Sequence, residues 1–255
     1  VTFVGTSAVA ELVHKRCRNL NKRALALGGA KNHLIASPDC NIDMTSTDVV
    51  ASFTGCTGQR CMAASVLLVI GKQEDLIKEI VSKASKLLPG QETGQIGPVI
   101  DAASLKKINS YISQAEKSNV EILLDGRSWD KGTGFWMGPT VLLHKNKSDP
   151  ALHDEIFGPV LSILVVESKE EAIQIENSNP YGNAACIYTV NGGVAEWFTE
   201  RFSAGMMGVN IGVPVPREPF SFGGINKSKF GDFDITGDGA MEFFTERRKV
   251  TTKVF

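Results

Sequence analysis

The sequence predicts an α/β fold, a mostly parallel sheet with flanking helices. Two observations carry that reading. Short apolar, β-branched runs alternate along the chain with segments whose apolar residues recur at helical spacing. The 255 residues, 42% hydrophobic and 22% charged, suffice for one large or two modest domains with a sizeable core.

Val1 to Val4 reads as a strand ending at Gly5-Thr6-Ser7, after which Val9, Leu12, Val13 and Arg16 follow a helical pattern. A strand, a tight turn and a helix start capped by Thr6 or Ser7 can present backbone N–H groups to a phosphate; a plain βα turn has the same form. Residues 23–27 are a second strand candidate, leading into Gly28-Gly29-Ala30-Lys31-Asn32, and residues 67–70 a third. Between Glu74 and Leu88, apolar residues at Leu76, Ile77, Ile80, Val81, Ala84 and Leu87 mark a helix that Pro89-Gly90 stops. Residues 105–115 read as another helix and 120–124 as a strand ending at Asp125-Gly126. An extended run occupies 134–143. Strand–helix pairs follow at 160–166 with 169–177 and at 186–190 with 194–202, and 208–211 is the last inner strand candidate. The tail from Val250 to Phe255 is short and β-prone, suited to pairing outside its domain.

The formal charge is −1 with acids and bases interspersed, which argues against a nucleic-acid or membrane-surface partner. No apolar run approaches transmembrane length. The five cysteines lack disulfide or metal-ligand rhythm, as suits a reducing compartment, and the four histidines form no metal motif. The chain begins at Val1 and is expected to be part of something longer.

Within Gly58-Gln59-Arg60-Cys61-Met62-Ala63, preceded by a small-residue loop at Phe53-Thr54-Gly55-Cys56-Thr57, Cys61 stands beside a cation. An adjacent guanidinium favours the thiolate, the nucleophilic form. A small buried hydrophobe is the other reading of such a cysteine. Cys56 is read as loop packing, and no histidine has a motif linking it to Cys61.

Nine motifs then agree in order: Gly5-Thr6-Ser7, Gly29-Ala30-Lys31, Gly58-Gln59-Arg60-Cys61, Gly97-Pro98-Val99-Ile100, Pro139-Thr140-Val141, Glu155-Ile156-Phe157-Gly158-Pro159-Val160, Asn179-Pro180-Tyr181-Gly182, Val209-Asn210 and Phe222-Gly223-Gly224. On these the chain resembles the second half of an aldehyde dehydrogenase. Gly29-Ala30-Lys31-Asn32-His33, the Cys61 hexapeptide and Gly208-Val209-Asn210-Ile211-Gly212-Val213-Pro214-Val215-Pro216 resemble the methylmalonate-semialdehyde dehydrogenase branch. The resemblance implies an aldehyde dehydrogenase-like catalytic domain at residues 30–243, preceded by the end of a Rossmann-type cofactor domain at 1–29 and followed by an oligomerisation strand or tail at 244–255. It implies oxidation of malonate or methylmalonate semialdehyde with NAD and coenzyme A to an acyl-CoA and carbon dioxide, in a homo-oligomer. The location implied is the mitochondrial matrix in a eukaryote or the cytoplasm in a bacterium.

By the same resemblance Cys61 is the nucleophile, Glu155 holds the nicotinamide ribose with Phe157 beside the cofactor, and Gly5 and Thr6 form the turn at the pyrophosphate and adenosine side. Arg60 is either a loop salt-bridge residue or a clamp for the substrate carboxylate, and Phe222 falls on the substrate-pocket wall. His33 belongs to the branch signature and is assigned no chemistry. The sequence departs from the family at Ala10, where a second glycine is common, at Thr54, commonly aromatic, and at Leu27. Hydrolytic members place a glutamate at the Leu27 position as general base for the deacylating water. A leucine accepts no proton, so a thiol such as coenzyme A is expected to release the acyl group. A hydrolytic enzyme with a base recruited elsewhere and a catalytically incompetent copy are the alternatives.

Overall fold

The computed structural model describes residues 1–129 and 132–255. Two sheets organise it. A small sheet has the order β1-β2-β12, in which β1 (Thr2–Val4) and β2 (Leu25–Leu27) are parallel and joined through α1 (Ser7–Asn19). The third strand, β12 (Lys229–Phe230), comes from the far end of the chain and pairs antiparallel with β2.

The large sheet contains β3 (Asn32–Ala36), β4 (Ala64–Ile70), β5 (Glu121–Leu124), β6 (Thr140–His144), β7 (Val160–Val166), β9 (Ala184–Tyr188) and β10 (Met206–Val209). Its order is β10-β9-β3-β4-β7-β6-β5, with every pair parallel except β5–β6. The stretch expected as the last inner strand is therefore an edge strand. Alternation along the strands sorts their side chains to two faces. Leu34, Leu67, Val69, Leu161 and Ile163 pack under α2 (Ile42–Thr54) and α3 (Glu74–Ser85) through Val49, Phe53, Leu76 and Ile80. Ile35, Val66, Leu68, Leu164 and Ile187 face the other way, against α6 (Lys169–Ser178) and α7 (Gly192–Thr199) through Ile173 and Phe198.

A third cluster joins α4 (Ala102–Lys117) to β6 and β7 through Ile108, Ile112, Leu142 and Val160. The short α5 (Pro150–His153) is capped by Asp149 and leads into the Glu155 segment. A two-stranded ribbon pairs β8 (Tyr181–Gly182) with β11 (Ile225–Asn226). The last helix, α8 (Gly237–Phe244), brings Phe243 onto Leu25 and Leu27 of the small sheet. Residues 245–255 have no regular secondary structure and are exposed, with no strand partner among the described residues. No described helix is long and apolar enough to cross a membrane.

Sheet polarity positions the site. Val4-Gly5-Thr6 and Gly28-Gly29 follow the carboxyl ends of β1 and β2, where open α/β sheets usually take ligands. Cys61 and the Glu155–Phe157 strip precede the amino ends of β4 and β7. The chain crosses from the small sheet to the large one between Gly28 and Lys31, and returns after β10 to supply β12. A groove is left between the two sets of strand ends.

Candidate active site

The groove encloses about 420 Å³ and is lined at one end by Val4, Gly5 and Thr6 and at the other by Cys61, Glu155 and Phe157. Gly28 and Gly29 form its floor, with Ser104 and Lys107 of α4 on a side. The structure thus gathers five of the expected site residues, Gly5, Thr6, Cys61, Glu155 and Phe157, into one cleft.

Cys61 lies in a turn after a 3-10 segment, Gly55–Gly58, in which Cys56 and Thr57 both have positive φ. The region expected as a small-residue loop is therefore the end of α2 and a tight reversal. Gly58 has φ +68°, and a Cβ there would lie 2.1 Å from the Gly158 carbonyl oxygen, so only glycine lets the turn approach the strip before β7. The Gln59 side chain secures the turn, accepting from Ile100 N at 2.9 Å and donating to Cys56 O at 3.1 Å.

Cys61 is exposed. Its thiol is nevertheless raised above the ordinary cysteine value, because the protein packed around the sulfur disfavours charge and the Glu155 carboxylate adds repulsion. The N–H groups of Cys61 and Met62 pull the other way, and Arg60 contributes least of all. This corrects the expectation that the neighbouring arginine sets the thiolate.

The Arg60 guanidinium turns toward helix α2. Its Nη2 donates to the carbonyls of Ala51 at 3.1 Å and Ser52 at 2.7 Å in the last turn of the helix, where Ala51 O also accepts from Gly55 N. Its Nε is buried without a hydrogen-bond partner, and no ion pair to Arg60 is present among the described residues. The group expected as a loop salt bridge or a carboxylate clamp is, in this structure, a helix cap. Phe222 is half-buried between Leu25, Leu27 and Phe243 on one side and Met62, Ala184 and Met206 on the other. It stands behind the residue that follows Cys61 and is absent from the groove lining.

Glu155 reaches across the floor. Its Oε1 accepts from Ala30 N at 3.0 Å, and Oε2 lies where a Cβ on Gly29 would sit only 2.6 Å away. Burial raises its carboxyl above the usual range, partly offset by the Ala30 N–H, Lys107 and Lys31. Lys107 Nζ donates to the Glu155 carbonyl at 2.7 Å. Phe157 has φ 61° and is exposed in the groove. At the other end, Thr6 precedes α1 with extended backbone and no side-chain cap, and the helix has no acidic residue in its first turn. Its leading N–H groups stay available to an anion.

Several polar residues around the site carried no assignment in the sequence reading. Lys31 is buried and donates from Nζ to Ala151 O and Asp154 O, both at 2.8 Å, which fastens α5 and the approach to Glu155; desolvation holds its amine at about 7. Asn32 and Asn183 are buried beside the Cys61 turn. The available signal was a polar residue at the head of each otherwise apolar strand, Asn32 before Leu34-Ile35-Ala36 and Asn183 before Ala184-Ala185. Leu27 is buried in β2 and packs with Leu25, Phe243 and Phe222.

A cysteine between two sheets shares one groove with a carboxylate and an uncapped helix start, and the chain belongs to the aldehyde dehydrogenase family, whose profile matches residues 1–250. Among its relatives, malonate-semialdehyde dehydrogenase 2 of Geobacillus kaustophilus (strain HTA426) is 38% identical over 99% of this chain and 54% of that protein. The malonate-semialdehyde dehydrogenase of Halalkalibacterium halodurans is 37% identical, with 99% and 53% covered. The crystal structure of methylmalonate-semialdehyde dehydrogenase from Oceanimonas doudoroffii superposes with a TM-score of 0.96 at 35% identity, over all of this chain and 54% of that one. A Sinorhizobium meliloti 1021 protein solved with NAD gives 0.93 at 33% identity, with 96% and 52% covered. The chain spans about half the length of the relatives it matches.

Proposed function

We propose that this chain carries the acyl-forming half-site of an NAD-dependent, coenzyme A-acylating dehydrogenase acting on malonate or methylmalonate semialdehyde, with loss of carbon dioxide. The observation that carries the reading is an exposed Cys61 sharing one groove with Glu155 while Leu27, the position of the hydrolytic base, is buried in β2. The names of the relatives and of the structural neighbours support the substrate class.

The residues present fit NAD. The open N–H groups at the start of α1, with Gly5 and Thr6, suit a pyrophosphate, and the Glu155 carboxylate suits ribose hydroxyls at the Cys61 end. When bound, NAD supplies the two-electron acceptor that converts the Cys61 adduct into a thioester.

The chain's own groups do the rest. The Cys61 thiolate adds to the aldehyde carbon, forming a carbon–sulfur bond and a thiohemiacetal, with the Cys61 N–H as the donor we assign to the developing oxyanion. After oxidation, the bond between the β-carboxylate and the α-carbon of the malonyl-type thioester breaks, and carbon dioxide leaves. The electron pair stays on the α-carbon as a thioester enolate that takes a proton from water. The coenzyme A thiolate then attacks the thioester carbonyl, the bond to Cys61 Sγ breaks, and the cysteine leaves as a thiolate. No strong base is required for that exchange, which suits a groove with leucine at the base position.

A second reading has one observation in its favour. Glu155, the one carboxylate among the described residues lining the groove, is raised by burial and could serve water as a base in a hydrolytic enzyme. NADH formation from malonate semialdehyde, measured with and without coenzyme A and with product identified by mass spectrometry, separates the two. Dependence on coenzyme A with acyl-CoA as product is expected; equal rates without it, yielding a free acid, would overturn the proposal.

A further inference from the structure

The Cys61 peptide lies in a turn, outside any β-ladder that would fix its plane. Two buried amides grip its carbonyl instead. Asn32 Nδ2 donates to Cys61 O at 2.7 Å and to Ala63 O at 2.8 Å, and Asn183 Nδ2 donates to the same Cys61 O at 2.8 Å, with Met62 Sδ 3.0 Å away. Asn32 is itself anchored, since its Oδ1 accepts from Ala184 N at 3.1 Å. Both asparagines are less than a tenth exposed. The local backbone is shaped for this contact: a register shift between Asn32 and His33 pairs them with Ala64 and Val66 and skips Ser65. Such an irregularity re-aims a side chain, here toward the turn before β4.

Two donors occupy both lone-pair directions of one carbonyl. In a trans peptide the C=O and the N–H point in opposite directions, so pinning the Cys61 oxygen among the strand ends also fixes the Met62 N–H. That N–H faces the Cys61 sulfur and favours its charged form. A donor held in place needs no reorganisation when the sulfur ionises.

We propose that Asn32 and Asn183 are positioning residues for the Cys61 nucleophile, whose joint grip on the Cys61 carbonyl holds the Met62 N–H against the sulfur and stabilises the thiolate. The proposal rests on the nucleophile reading of Cys61 and adds the device that sustains it.

The test is alkylation of the 255-residue chain by iodoacetamide, followed site by site with peptide mass spectrometry from about pH 6 to about pH 11.5, a range wide enough for a thiol raised above the ordinary value. The parent chain is compared with Asn183→Leu and Asn183→Ala, which both remove the donor, one keeping the volume and one relieving any clash. In both variants the Cys61 midpoint is expected to move up by about one pH unit and its rate at neutral pH to fall severalfold. The exposed thiol of Cys56 in the same molecule should be unchanged. If the Leu variant does not fold, the Ala variant carries the same measurement. A lowered melting temperature with an unmoved midpoint would mean that Asn183 only supports the fold, and would overturn the positioning role alone. A parent chain whose Cys61 reacts no faster than the buried Cys17 and Cys40 would overturn the nucleophile reading, and the positioning role with it.

Discussion

At the scale of the residue, the chemistry of Cys61 is set by neighbours that are distant in sequence. Glu155 is 94 positions away, yet its carboxylate raises the thiol while Arg60, the adjacent residue, hardly counters it. Glu155→Gln should therefore lower the alkylation midpoint of Cys61 and speed its reaction at neutral pH, since the repelling charge is gone. Slower alkylation would instead identify Glu155 as the proton acceptor for the thiol. Arg60 has its own expectation. Its Nη2 closes two carbonyls at the end of α2, so Arg60→Ala should cost about 1–2 kcal/mol in urea unfolding, and lysine, a point charge without the fork, should restore little. Unchanged stability would dismiss the cap. Cys61, Glu155 and the glycine turn were legible in the sequence as site candidates because each sits inside a motif. The direction of the Arg60 side chain was not, because adjacency in sequence does not fix a rotamer.

At the scale of the element, local pattern located most strands of the large sheet and the amphipathic helices α3, α4, α6 and α7, but missed β3, α2, β12 and α8. β3 reads Asn-His-Leu-Ile-Ala and is buried along its whole length, so it lacks the alternation that marks a half-exposed strand. In α2, Thr45, Ser46, Thr47, Val49 and Val50 are poor helix formers, and the helix is held by the Asn41 cap and by burial of Val49 and Phe53. Tertiary packing overrides propensity there. Helix α1 shows the converse, a start left without a cap where one would stabilise it. Thr6→Asp should raise the thermal midpoint through about 0.5–1 kcal/mol of capping. The same change should weaken NAD binding about tenfold, as measured by titration, because it fills the open N–H groups with a negative charge. Unaltered affinity would remove the α1 start from the cofactor site.

At the scale of the whole molecule, acid sensitivity should come from buried imidazoles. Burial holds His144 at about 4 and His33 at about 3, so both are neutral in the fold and charge on unfolding below the ordinary histidine value of about 6.5. Between about pH 4 and about pH 6.5 the unfolded chain binds more protons, and stability falls as pH falls, by up to about 1.4 kcal/mol per pH unit for each histidine. Glu176, raised to about 7 by burial, works in the opposite sense: its stabilisation is present at low pH and is lost as pH rises through its folded value. Both ring nitrogens of His144 are buried without a hydrogen-bond partner. His144→Leu should therefore leave stability at neutral pH equal or higher and make the acid limb shallower, as read from urea midpoints at about pH 5 and about pH 7. An unchanged acid limb would show that His144 already ionises in the fold. The strand that completes the small sheet has a different consequence. Ser228 accepts from Gly28 N, donates to Gly29 O and receives Gly182 N, so the floor of the groove is tied to a residue some 200 positions later. On the ribosome Cys61 leaves the exit tunnel long before Ser228 does. During synthesis the sulfur is present while its groove is not, and the surroundings that shift its thiol are complete only when the strand after Ser228 has been made.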